Sequence, residues 1–228
     1  MSVVSRRLRD MTSIDVTSIE RPILALPIGS CEQHGPHLPL GTDSIIAEAL
    51  CDALATTTPR IVIGPTLTVT SSGEHAGFPG TLSIGGSATS STIVELVRSA
   101  DWASSVVLVN GHGGNAAAVK TAMTTLLAES RAVSAWWPQI DNGDAHAGHV
   151  ETSLMLHLAA PLVDMGRADV GDTRPIHEIE QVLTTSGLKA VTSNGVLGDP
   201  RNASRTDGER LFEQLVGQLT DHVATNHQ

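Results

Sequence analysis

The chain has 228 residues, 14 Lys and Arg against 24 Asp and Glu, a formal charge of −10, and 40 % hydrophobic residues. This length suits one domain or two small ones, read here as a single domain over residues 1–228, and an acidic balance without Lys/Arg blocks argues against nucleic acid or an anionic membrane as the main partner. Ordinary apolar content argues against disorder, whereas three Trp, two Phe and no Tyr leave the core to aliphatic side chains, and ten His point toward chemistry.

The first residues, Met1 to Asp10, carry Arg6, Arg7 and Arg9 but lack the apolar segment of a signal peptide. Ile23 to Ile28, bounded by Pro22 and Gly29, reads as a buried strand. A loop follows to Thr42, where Asp43 is expected to N-cap a helix with Ile46, Ala49, Leu50 and Leu54 on its apolar face. Ile61 to Thr70 is β-branched and strand-like. The Gly-rich run Ser71 to Gly86 reads as loop, with room for a short strand at Thr81 to Ile84.

Helical spacing then covers Thr92 to Trp102, a buried strand Val106 to Val109, a helix Ala116 to Leu127 and a strand Ala132 to Trp137. After a loop at Asp141 to Gly148 come helices at Glu151 to Ala159, around Ile176 to Leu183, and from Thr206 to about Ala224. Alternating strands and helices predict an α/β fold with a mostly parallel sheet covered on both faces, whose strand-end loops gather along one edge. Cys31 and Cys51 form neither a CxxC pair nor a disulfide framework, and no apolar run approaches a membrane span. The expected location is cytoplasmic.

Polar residues able to do chemistry concentrate in those loops. Glu32, His34 and Asp43 follow the first strand, and two carboxylates with an imidazole suit a divalent cation; the plainer alternative is a capped, solvated turn. Asn110-Gly111-His112-Gly113-Gly114-Asn115 follows the Val106–Val109 strand. As a dinucleotide loop it lacks the third glycine and an acid at the tip of the next strand, so His112 reads better as a metal ligand. In His146-Ala147-Gly148-His149-Val150-Glu151, His146 could act as ligand or proton shuttle. Glu151 lies in a first helical turn, where a carboxylate also fits structurally, and His149 reads as a surface residue. The Ser72-Gly73-Glu74-His75 loop could bring backbone close to a substrate. No Gly-x-Ser-x-Gly elbow, Walker A loop or His-Glu-x-x-His helix is present. His157 reads as a packing residue, and His222 and His227 as part of a polar tail.

Pro27 to Asp43, Glu74-His75 with Phe78-Pro79-Gly80-Thr81, Asn110 to Asn115, His146 to Ser153 and Asn194 to Pro200 together resemble, in order, the motifs of the creatininase (creatinine amidohydrolase) family. The resemblance covers about residues 12 to 222. It implies a three-layer αβα sandwich, often assembled as a hexamer, with two divalent metal ions per subunit (Fe(II), Zn or Mn). Carried over by position, Glu32, Asp43 and His112 hold one ion. His34 holds the other, with Asp43 bridging, and Glu151 stands in for a carboxylate that creatininases proper carry two residues after the motif's His, where this chain has Gly114. The implied chemistry is metal-assisted amide hydrolysis, with Glu151 in the catalytic centre and His146 passing a proton to the leaving amine. His37, Glu74, His75, Trp136 and Trp137 are expected around the substrate, the Trp pair equally fitting ordinary packing.

Asp164 to Ala168, Arg174 to Ile176 and Val191 to Pro200 are similar to the family's mycofactocin-system peptidase branch. That branch removes a modified C-terminal Val–Tyr unit from a small ribosomal precursor peptide during redox-cofactor maturation. The implied partner is thus a modified precursor peptide. The alternatives are hydrolysis of creatinine, disfavoured by the Gly113-Gly114 pair, hydrolysis of a formamide in a flavin or deazaflavin pathway, and a non-catalytic metal-binding scaffold.

Overall fold

Six apolar residues in a row, Ile23–Ile28 (β1), form the strand from which the architecture is built, and all six are buried. In the computed structural model, which describes residues 6–227, a short helix α1 (Ser13–Thr17) precedes β1. The first five residues of the arginine-bearing N-terminal stretch, and Gln228, lie outside the described residues. After β1 come α2 (Thr42–Thr57), β2 (Ile61–Ile63), α3 (Gly85–Ser99), β3 (Ser105–Asn110), α4 (Ala116–Ala128), β4 (Val133–Trp136), α5 (His149–Leu158), α6 (Ile176–Ser186) and α7 (Arg205–Asn226). The sheet is parallel throughout, in the order β2-β1-β3-β4.

Side chains of a strand alternate between faces, and the core divides accordingly. Ile23 and Ala25 join Ile61, Val107, Val109 and Trp136 under α2, α5 and α7. Leu24, Leu26 and Ile28 join Val106 and Leu108 under α3 and α4. The result is the parallel sheet covered on both faces that the sequence predicts, and the three-layer αβα sandwich that the family resemblance implies. Gly208 of α7 is required for the tight crossing with α5, because a Cβ there would collide with the Ser153 carbonyl.

β1 is linked through α2 to β2 on one side, while β3 lies on its other side. Between β1 and β3 the connections diverge, and the crevice outside the strand ends is where open α/β sheets bind ligands. The register Ile28↔Asn110 ends both strands at one level, so the loops carrying Glu32 and His112 emerge side by side.

Several expected boundaries shift. The Ile61–Thr70 strand stops at Ile63 because Gly64-Pro65 follows, and Pro lacks a ladder donor; Leu67 returns only for a single bridge with Ile28. No strand forms at Thr81 to Ile84, where Leu82 makes one bridge to Cys31. α3 begins at Gly85 rather than Thr92, its small Thr89 and Ser90 buried. Asp43 is not the N-cap of α2: Gly41 holds that position, and Asp43 sits in the first turn with its carboxylate turned to other loops.

The expected polar tail is also corrected. His227 is buried, its Nε2 2.6 Å from Ser134 Oγ and its Nδ1 2.7 Å from Ser105 Oγ, while His222 Nε2 lies 2.8 Å from the same Ser134 hydroxyl. These bonds fasten the end of α7 to β3 and β4. Burial, with His222 and Arg60 nearby, lowers the His227 pKa from 6.5 to about 4. A depressed His pKa favours the neutral folded form, so this contribution is complete above pH 6.5 and is lost as pH falls from there toward 4. Urea midpoints should therefore decline between those pH values, and His227→Gln should flatten the decline. A variant curve parallel to wild type would show that the latch does not titrate.

Candidate metal centre

Four loops bring their carboxylates and imidazoles to the β1–β3 crevice. Glu32, His34 and Asp43 come from the β1–α2 connection and the first turn of α2, and Glu74 and His75 from a single 3-10 turn at Gly73–His75. His112 follows β3, and His146 and Glu151 come from the β4–α5 loop and the first turn of α5. Glu32, His34, Asp43, His75, His112 and His146 are all buried. Ligand-type atoms converge in four overlapping groups: Glu32/Asp43/His112, His34/Asp43/Glu151, Glu32/His34/His146 and Glu32/Glu74/His75.

Three imidazoles share one arrangement. His34 Nδ1 donates to the Glu32 carbonyl (3.1 Å), His112 Nε2 to the Ser71 carbonyl (2.9 Å) and His146 Nε2 to the Gln33 carbonyl (2.9 Å). A carbonyl oxygen can only accept, so each bond assigns the proton to the outer nitrogen and turns the other nitrogen inward. The inward His34 Nε2 is 2.9 Å from Asp43 Oδ1, and His112 Nδ1 is 3.2 Å from Asp43 Oδ2. The inward His146 Nδ1 lies 3.9 Å from Glu32 Oε1 and 4.0 Å from Glu151 Oε2. Backbone carbonyls behind metal-ligating imidazoles are the usual device for setting tautomer and ring orientation.

Lone pairs facing carboxylate oxygens at these distances need a proton or a cation between them. Burial acts to depress His34, but the Asp43 carboxylate overrides it and raises the pKa to about 10. Burial likewise opposes Asp43 ionisation, yet His34 and His112 hold its carboxyl well below the usual range. Burial pushes Glu32 up to about 8, against the pull of His112, and Glu151 up to about 7, against that of His34. The Glu32 carboxylate is the clearest sign of what belongs here. Both oxygens are buried without an aligned hydrogen bond among the described residues, although His75 Nε2 and His112 Nε2 each stand 3.1 Å away. An orphaned buried carboxylate among imidazoles is costly unless a cation neutralises it. The donor set of carboxylate oxygen and imidazole nitrogen fits Zn, Fe(II) or Mn.

Other residues hold the loops. Ser30 Oγ donates to Asp43 Oδ2 at 2.7 Å. The asparagines flanking His112 are joined, Asn115 Nδ2 donating to Asn110 Oδ1, while Asn110 Nδ2 donates to the His112 carbonyl. Gln33 is a hub that sequence reasoning did not single out. Its amide donates to His75 Nδ1 (3.0 Å) and the Gly195 carbonyl (3.0 Å), and its oxygen accepts from the Gly35 N–H. Gly195, at φ 81°, leaves room for that amide, since a Cβ there would collide with it. The one cue in the sequence is the residue's place between Glu32 and His34.

Asp144 was also missed. Its carboxylate accepts from the His149 and Val150 amides at the start of α5, and glycines at 148 and 198 make space for it. Ala147 adopts φ 52°, an uncommon conformation for a residue with a Cβ, and its N–H donates to Glu151.

Among the expected substrate contacts, His75 and Glu74 adjoin the cluster. His37 is buried against α5, its Nε2 2.8 Å from Thr152 Oγ1. Trp136 packs in the core under α7, Trp137 packs on the α3/α4 face, and both line a groove with Gln218 and His222. His149 is half-buried and faces Asp207 at 3.7 Å. His157 packs on Phe212 as expected, but its buried Nδ1 has no hydrogen-bond partner among the described residues.

The family model for creatininase (creatinine amidohydrolase) matches residues 9–223. A mycofactocin precursor peptide peptidase from Mycolicibacterium smegmatis is 42 % identical over 209 residues, covering 89 % of this chain and 84 % of that protein. A creatinine amidohydrolase from Pseudomonas putida is 27 % identical, covering 88 % of each. A solved structure titled "Creatininase Mn" superposes with a TM-score of 0.81 at 25 % identity, over 98 % of this chain and all of that one.

Removing the Asp144 carboxylate should cost about 1 kcal/mol, the usual value of a helix-capping acceptor. Urea denaturation of Asp144→Ala measures this, and an unchanged midpoint would show that the two amides find other acceptors.

Proposed function

The chain belongs to the creatininase family, hydrolases of amide bonds, and we propose that it cleaves a precursor peptide of the mycofactocin type, releasing the modified C-terminal Val–Tyr unit. The observation that carries this substrate is the 42 % identity, over most of both chains, to a relative named for that activity. Gly113 and Gly114, where creatininases proper carry Tyr and an acid, weigh against creatinine.

On this reading Glu32, Asp43 and His112 would hold one divalent cation, and His34 and Glu151, with Asp43, would hold a second. Fe(II), Zn and Mn all suit these donors. When bound, the pair supplies Lewis-acid polarisation of the scissile carbonyl and a water acidic enough to attack near neutral pH. The protein's own part is orientation and proton handling. The backbone carbonyls behind His34 and His112 take the outer N–H of each ring and aim the inward nitrogen at Asp43, where a bound cation would take the place of the inward proton. His146 is held neutral by burial and by His34 and His75 nearby. Its bond to the Gln33 carbonyl leaves Nδ1 aimed at the Glu32–Glu151 gap, where it can take up a proton and pass it to the leaving amine. Glu151 holds position through the Ala147 N–H, which keeps its carboxylate beside both His34 and His146. The covered substrate side is formed by the Glu74-His75 turn and His37, and the chain works as one domain in a cytoplasmic homo-oligomer.

Two substitutions separate these roles. Glu32→Gln should lose most bound metal together with activity. His146→Ala should keep both metal equivalents and lose about 10²–10⁴-fold in rate. Metal analysis alongside hydrolysis of a peptide ending in Val–Tyr, with creatinine and a formamide in parallel, tests the assignment. Turnover of creatinine or the formamide alone would overturn the peptide substrate. No turnover at full metal loading would favour a scaffold.

A further inference from the structure

Glycine at position 114 opens a specific space. A Cβ there would collide with three atoms at once: Glu74 Oε1, His112 Nε2 and the Ser71 carbonyl oxygen. Those atoms already form one contact. His112 Nε2 donates to Ser71 O at 2.9 Å, and Glu74 Oε1 stands 3.4 Å from the same nitrogen. The missing side chain therefore leaves the volume in which the outer N–H of His112 meets the Ser71 carbonyl with the Glu74 carboxylate beside it, while Glu32 Oε2 stands 3.1 Å from the same nitrogen. Ser71 and Glu74 belong to one loop, which Asn115 ties back through its Oδ1 accepting the Ser71 N–H.

Glu74 differs from the other carboxylates around Asp43. Its side chain is 28 % exposed where that of Glu32 is 0 %, so it reaches the cluster from the solvent side. It lies behind His112, beside the nitrogen already committed to the Ser71 carbonyl, while the opposite nitrogen faces Asp43. A carboxylate behind a ligating imidazole makes the ring a stronger donor to the metal and fixes its plane.

We infer that Glu74 is a positioning residue for His112, admitted by Gly114, which completes a carboxylate–imidazole–metal arrangement and ties the Ser71–Thr81 loop to the cation site. This deepens the two-cation reading of the site and rests on it. The pairing also gives Gly114 a purpose: a residue with a side chain there cannot coexist with Glu74 in this position. The motif His-Gly-Gly and the acid of the Gly-Glu-His turn, 40 residues apart in sequence, thus form one unit.

The test uses cobalt(II) as the probe on the full chain. Wild-type protein binding two equivalents supports the underlying reading; binding none overturns that reading independently of Glu74. Given two equivalents in wild type, Glu74→Gln should weaken one of them by roughly 10–100-fold and alter the cobalt visible spectrum, with the melting temperature of the metal-free protein unchanged. Glu74→Asp, which keeps the charge, should recover part of the affinity. Gly114→Ala should weaken the same equivalent, and the Glu74→Gln/Gly114→Ala double variant should lose less than the sum of the two. Wild-type affinity and spectrum in Glu74→Gln, or fully additive losses, would overturn the inference.

Discussion

The carboxylate of Asp43 is the hinge of this structure. It sits almost wholly buried in the first turn of α2, one oxygen 2.9 Å from His34 and the other 3.2 Å from His112, with Ser30 donating to it as well. An isolated carboxylate could not stay ionised at that depth. Each element that contacts Asp43 is therefore held to a geometry that keeps positive or donor groups around it. The loop after β1 must fold back on α2, and the loop after β3 must cross above them. Gly29 and Gly111 make both approaches feasible, since a Cβ at either would press into the backbone at Ser44 or Asp43.

Around that centre the protein spends backbone rather than side chains on orientation. Carbonyls of Glu32, Ser71 and Gln33 each take one imidazole N–H, so three rings are fixed by the paths of loops that the sheet itself positions. This couples chemistry to fold directly: a shift of the β1–β3 register would move acceptors and rings together. Gln33 extends the coupling to Gly195, and Asp144 and Ala147 extend it to α5, where Glu151 resides.

The accumulated charge is what favours a cation-binding reading of this cluster over a plain ion-pair network. In a purely structural network the buried acids would each find aligned donors, because a half-satisfied buried network is worse than an apolar one. Here Glu32 has none among the described residues, and the inward nitrogens of His34 and His112 meet the Asp43 carboxylate at distances that require a proton or a cation between them. The surplus of His in the composition is thereby accounted for: five of the ten converge on or beside the site, and no helix among the described residues is long and apolar enough to cross a membrane.

The alternation of apolar runs with amphipathic segments already determined a parallel sheet sandwiched by helices, because periodicity is a local property that each segment carries by itself. Residue chemistry in the strand-end loops likewise marked Glu32, His34, Asp43 and His112 as donors, and the family resemblance added Glu151. Boundaries that depend on small residues, such as the early start of α3 at Gly85, were less legible, since Gly and Ser there gain helix from packing rather than propensity. Only the tertiary structure decided which nitrogen of each His faces inward, that Gln33 and Asp144 hold the loops, and that Glu74 fills the space beside Gly114. The reason is physical: those partners lie 41 to 113 residues apart along the chain for His112–Ser71 and His146–Gln33, and a hydrogen bond across such a distance leaves no periodicity to read.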